Sequence, residues 1–146
     1  MITEATPNDV AAMQAVRLAV RENILSDPSK VTDEDVLAYI TRRGKGWIYK
    51  TGSELVGFAI ADLVDHNIWA LFLLPSFEGK GIGRQLLETM LRWYFEQTDH
   101  PVWLSTERGT RAEKFYSKAG WKNMGAYGPI EIKFEMTKEI WQQLNH

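Results

Sequence analysis

Gly79, Gly81 and Gly83 alternate with Lys80 and Ile82, and Arg84 follows directly. The apolar run Trp69-Ala-Leu-Phe-Leu-Leu74 precedes them and an amphipathic pattern comes after. Residues without side chains at a helix start leave backbone N–H groups able to close around a ligand. Those groups and the helix dipole favour an anion, most often a phosphate. The spacing is not the Gly-x-Gly-x-x-Gly of a dinucleotide site, nor does the Gly-Lys-Ser/Thr of a nucleotide-hydrolase loop follow. The chemistry expected is a diphosphate held by backbone N–H groups of residues 79–84, with Lys80 and Arg84 adding charge. A plain turn before a helix has the same local composition. With no cysteine in the chain, thiolate chemistry and Cys-ligated zinc are excluded. No His/Asp/Glu grouping has metal-ligand spacing, so no metal is expected. Ser105 lacks the context of a nucleophile elbow.

The elements that must position this bend follow from periodicity. Ile2 to Ala5 reads as a short strand, with Asn8 or Asp9 as the cap of a first helix. In that helix Val10, Met13, Val16, Leu18, Val20, Ile24 and Leu25 recur at roughly helical spacing, and Pro28 stops it. Thr32 and Asp35 are spaced as a capping box for a second helix, ended by Gly44 and Gly46. Three strands joined by short turns come next: Trp47 to Lys50, Glu54 to Leu63, and Ile68 to Leu74. The near-continuous apolar stretch in the third predicts a strand buried on both faces. A long helix spans Gly81 to Thr98, with Ile82, Leu86, Met90 and Trp93 in one row. Pro101 to Thr106 is a strand after that helix, so it runs parallel to the strand before it. A short helix from Arg111 to Ala119, a hairpin around Gly128-Pro129 and a terminal turn from Lys138 to Leu144 complete the order. The fold class is α/β on one mixed sheet.

The length of 146 residues suits one domain with its own core. A formal charge of −2 argues against nucleic acid as partner. No stretch reads as a signal peptide or a membrane span, so no membrane partner is expected. With the lack of cysteine this predicts a cytoplasmic location. Six tryptophans suit a core, or the lining of an aromatic pocket.

Glu78-Gly-Lys-Gly-Ile-Gly83 resembles the Gln/Arg-x-x-Gly-x-Gly/Ala junction of the Gcn5-related N-acetyltransferase superfamily. Gly109-Thr-Arg-Ala-Glu-Lys-Phe-Tyr-Ser-Lys-Ala-Gly-Trp121 resembles that family's Asn-x-x-Ala-x-x-Phe-Tyr-x-x-x-Gly-Phe motif. The departures are Glu78, Gly109 and Trp121. The resemblance covers nearly the whole chain and implies one N-acetyltransferase domain over residues 1–146. It implies the acyl-CoA N-acyltransferase fold, a mostly antiparallel sheet whose central parallel strands splay, with flanking helices. It further implies acetyl-CoA as acyl donor. The pyrophosphate would lie on the amides of Glu78, Gly79, Lys80, Gly81, Ile82, Gly83 and Arg84, and the pantetheine against Phe72, Leu73 and Leu74. A carboxylate beside a diphosphate is unfavourable, so Glu78 is expected to face solvent or a cation.

The same resemblance makes Tyr116 the proton donor to the departing thiolate; a core aromatic would read the same way. The acceptor amine must attack as a neutral nucleophile. Candidate bases are Glu107, Glu22, Asp62, Asp65 and His66, with a water chain as the alternative. N–H groups near Leu73 and Leu74 are expected to stabilise charge on the carbonyl oxygen. Arg17, Arg21, Arg108 and Arg111 are candidates for an acidic substrate group or the 3′-phosphate of CoA, or are solvent-facing charge. The expected reaction moves acetyl from acetyl-CoA to a primary amine by direct attack, and a small-molecule acceptor is favoured over a protein one. Another acyl donor, a hydroxyl acceptor, or an acyl-CoA-binding sensor without turnover are the alternatives. A homodimer is left open.

Overall fold

The structure, a computed structural model, describes residues 1–21 and 31–144. In chain order it contains β1 (Ile2–Glu4), α1 (Val10–Arg21), α2 (Asp33–Ala38), β2 (Gly44–Thr51), β3 (Glu54–Asp62) and β4 (Asn67–Leu73). Then come α3 (Ile82–Gln97), β5 (Val102–Glu107), α4 (Arg111–Lys118), β6 (Lys122–Tyr127), β7 (Glu131–Met136) and α5 (Lys138–Leu144). The strands make one 7-stranded sheet in the order β1-β2-β3-β4-β5-β7-β6. Every neighbouring pair is antiparallel except β4 and β5. This is the mixed sheet with flanking helices expected from the order of elements.

Local chemistry explains the helix starts. Thr6, and not the expected Asn8 or Asp9, caps a turn at Pro7–Asp9 that runs into α1, and its N–H donates to the Asp9 carboxylate at 2.8 Å. The expected end of α1, from Ile24 to Pro28, lies outside the described residues. Thr32 and Asp35 form the predicted box: the Thr32 N–H donates to Asp35 at 2.9 Å, and the Asp35 N–H donates to Thr32 Oγ1 at 3.1 Å. Contrary to the expectation from sequence, Gly44 and Gly46 do not end α2. A π-helical turn over Tyr39–Arg43 intervenes, and β2 starts at Gly44. Gly44 is there because a Cβ would come within 1.8 Å of the Ala61 carbonyl oxygen on β3.

The sheet has a core on each face. On one, α3 buries Leu86, Met90, Leu91 and Tyr94 against Ala59, Val102, Leu104 and Phe134. On the other, α1, α2 and the π-helical turn bury Met13, Val16, Val36 and Ile40 against Ile48, Phe58 and Ile60. Both cores sit over the centre of the sheet, and β3 is buried along almost its whole length. Among the described residues, no helix is long and apolar enough to cross a membrane.

Candidate active site

β4 and β5 are registered at one pair, Asn67 with Trp103, where the Trp103 N–H donates to the His66 carbonyl at 3.0 Å. Beyond it the strands part, while β5 stays paired with β7 along its length. A cleft of about 680 Å³ occupies the gap. It runs from Glu78, Gly79 and Gly81 to Tyr116, between the splayed strands. The expectation that β4 is buried on both faces is therefore corrected: Leu71, Phe72 and Leu73 are only half-buried, because they line an opening.

Hydrogen-bond parity decides which amides face this gap. The Leu74 N–H donates to the Val56 carbonyl at 2.9 Å. In an antiparallel ladder successive residues alternate sides. Leu74 and Phe72 therefore turn their backbone groups to β3, while Leu73 and Leu71 turn theirs into the gap. The Leu74 N–H is thus not available for a carbonyl oxygen, contrary to the expectation. Leu74 also lies outside the cleft lining and packs against the core under α1 and α2. Leu71 was missed, because its role depends on pairing parity that composition does not reveal. Trp69 is the extra residue of a bulge, since Ile60 pairs with Ala70 and Ala61 with Ile68. It lines the cleft and stacks on Tyr39 with ring centroids 3.8 Å apart.

At the glycine bend, Gly79 has φ +77° and Gly81, the residue before α3, has φ +83°. Side chains disfavour that region. A Cβ at Gly81 would meet nothing within 4 Å, so backbone conformation and not crowding accounts for the glycine. Gly83 and Arg84 also line the cleft. Ile82 has its side chain in the core, which leaves only its backbone to a ligand. Lys80 is outside the lining, and its Nζ sits 5.3 Å from the Phe77 ring centroid. Arg84 donates through Nε to Glu88 at 3.1 Å. Glu78 faces a cation, as expected: Arg111 at the start of α4 lies 3.2 Å from its carboxylate.

Tyr116 reaches the cleft from α4 while only 7% exposed. Trp121 and Phe134 pack against its ring. Burial raises its phenol well above the ordinary value of 10.0, so the hydroxyl keeps its proton. Glu107, the last residue of β5, is exposed and also lines the cleft. Beside it are two residues the sequence reading did not select together: Ser105, whose hydroxyl donates to Glu131 at 2.8 Å, and Glu131 itself on β7. Glu131 was not a candidate from sequence, because nothing in its local pattern sets it apart from the other charged residues of the strand.

The other candidate bases are elsewhere. Glu22 lies outside the described residues. Asp62 is fully buried, accepts from Arg43 Nη2 at 2.9 Å and from the Val64 N–H at 2.9 Å, and is outside the cleft lining. Asp65 pairs with the same guanidinium at 2.9 Å. His66 bonds the Tyr94 hydroxyl at 3.0 Å and stacks on His100. These three surround the closed end of the strand pair, where they secure a turn. Arg17 borders a smaller cavity of about 170 Å³ beside Trp69 and Phe72. Arg108 is exposed, and nothing is described of the Arg21 side chain. Trp47 is core, packed edge-on against Trp93. Among the described residues no group of three or more His, Asp or Glu could hold a metal ion.

The model of the acetyltransferase (GNAT) family matches residues 13–121. Solved structures match over most of their length. A PaiA N-acetyltransferase from Thermoplasma acidophilum, in complex with coenzyme A, superposes with a TM-score of 0.82 at 20% identity, covering 94% of this chain and 98% of that one. A ribosomal-protein-alanine N-acetyltransferase from Brucella melitensis gives 0.76 at 19% identity, covering 94% and 99%. An N-acetyltransferase from Staphylococcus aureus Mu50 gives 0.75 at 16% identity, covering 94% and 97%. At these identities the structures establish a shared fold. A search of curated protein sequences finds no significant match.

Proposed function

The chain belongs to the acetyltransferase (GNAT) family, and from that membership we propose that it transfers acetyl from acetyl-CoA to a primary amine by direct attack. The observation that carries this reading is the continuous cleft from the glycine bend, past Leu71 and Leu73, to Tyr116. Backbone groups facing an unpaired strand gap need partners, and an amide-bearing arm satisfies them as an added strand would. The bend offers N–H groups at the start of α3 to a diphosphate. The PaiA relative was solved with coenzyme A, which agrees with this donor.

In this reading Gly79 to Arg84 bind the diphosphate through the backbone, and Leu71 and Leu73 align the pantetheine. Leu73 also offers its N–H to the thioester carbonyl oxygen. Tyr116 protonates the departing sulfur. The protein holds amine and thioester together, which converts a bimolecular step into an oriented one. The acceptor approaches past Trp69; a small-molecule amine suits a cleft of this size better than a protein segment. The test is an acetyl-CoA-dependent acetylation screen across amines, following CoA release and product mass. Amine-dependent CoA release is expected. Tight acetyl-CoA binding with no amine-dependent release would instead mark a sensor.

A further inference from the structure

The two walls of the gap present different faces of the sheet. On β5, Val102 and Leu104 are buried in the core under α3, so Ser105 points to the opposite face. On β7, Ile132 and Phe134 lie in that same core, so Glu131 also points to the opposite face. β4 directs Trp69 and Phe72 to this second face, toward the core under α1 and α2. Tyr116 belongs to the first face. The cleft thus has a buried phenol on one side of the sheet and a half-buried carboxylate on the other.

Glu131 differs from its register partner Glu107. Glu107 is exposed at a strand end. Glu131 is half-buried, and the Ser105 hydroxyl fixes its Oε2 at 2.8 Å. Among the described residues Oε1 has no hydrogen-bond partner. Lys133, the next charged residue on this face, sits 5.0 Å from the Trp103 ring centroid.

We propose that Glu131 holds the ammonium group of the acceptor and takes its proton, with Ser105 as the positioning residue that aims the carboxylate. This rests on the amine-acetylation reading above. The nitrogen lone pair forms the new C–N bond at the thioester carbonyl carbon. The C–S bond breaks, and its electron pair goes to sulfur. An acceptor that starts as an ammonium sheds two protons. Glu131 takes one and releases it to solvent; the other reaches sulfur through Tyr116, so a neutral amide and a neutral thiol leave. Acid and base stand on opposite sides of the sheet, so each can serve a different atom, Glu131 the nitrogen and Tyr116 the sulfur.

The test measures CoA release from about pH 6 to about pH 10 for the wild type, Glu131→Gln, Glu131→Asp, Ser105→Ala and Ser105→Thr. The acceptors are n-butylamine, benzylamine, trifluoroethylamine and a peptide with a free N-terminal alanine. Acetyl-CoA affinity is measured for each variant as the check on folding. Glu131→Gln is expected to lower kcat about 100-fold for the best alkylamine near neutral pH. The loss shrinks as pH approaches the amine's own pKa, and is small for trifluoroethylamine, which is largely neutral already. Glu131→Asp retains part of the rate. Ser105→Ala raises the amine KM and lowers kcat about tenfold, and Ser105→Thr restores both. Acetyl-CoA affinity stays within about twofold throughout. A Glu131→Gln rate near that of the wild type, or an equal loss on all amines at every pH, overturns the proposal while leaving amine acetylation standing. A wild type that binds acetyl-CoA but acetylates none of these amines overturns both.

Discussion

The Leu74 N–H is committed to the Val56 carbonyl at 2.9 Å, and that single bond turns the N–H of Leu73 into the gap between β4 and β5. Neighbouring residues therefore have separable roles. Leu73→Pro removes a gap-facing N–H without touching the ladder to β3. It is expected to fold and to bind acetyl-CoA about fivefold to tenfold more weakly. Leu74→Pro removes the bond to Val56 and is expected to cost about 1–3 kcal/mol of stability. Isothermal titration and urea denaturation of the two variants separate these effects. Equal behaviour would contradict the parity argument.

Tyr116→Phe keeps the packed ring and removes the proton. It is expected to lower kcat about 100-fold, with acetyl-CoA affinity unchanged. A single-turnover assay, which isolates chemistry from product release, is the measurement. An unchanged rate there would sink the role.

Gly81→Ala places a Cβ in open space but forces φ +83° on a residue that disfavours it. The expected cost is about 1–2 kcal/mol, seen as lower stability or as a rearranged loop with weaker CoA binding. Calorimetry and CoA titration together record how the cost is divided.

Arg111 lies 3.2 Å from Glu78 beside the glycine bend. Arg111→Ala leaves the carboxylate unpaired near the diphosphate and is expected to weaken CoA binding about threefold at low salt. Adding Glu78→Gln should restore it. Affinities of the two single variants that simply multiply in the double variant would show that the pair does not act together.

Burial raises the Tyr116 and Tyr94 phenols above their ordinary 10.0. The unfolded chain ionises these groups first, so their stabilising effect is complete below pH 10.0 and is lost as pH rises toward the folded values. Denaturation midpoints should fall above that pH, and Tyr116→Phe should fall less steeply.

Much of the molecule was legible because its determinants are local. Thr32 and Asp35 form their capping box within one turn, and α5 spans the predicted Lys138–Leu144. Ile132, Phe134 and Met136 alternate inward as their period requires. The glycine bend and Tyr116 meet at one cleft, as their motifs implied. Failures came where a residue's role depends on a distant partner. Asp62 was a candidate base, yet Arg43 pairs with it, and Glu131 was no candidate, yet Ser105 fixes it at the cleft.

The sequence by itself determined the family, the order of elements and the loop suited to a diphosphate. Each follows from the types and spacing of neighbouring residues. Tertiary structure decided which strand amides face the gap, which carboxylates border it and how far it runs. Those depend on strand register and on where β5 leaves β4, between residues 36 positions apart such as Asn67 and Trp103. No local period encodes that divergence.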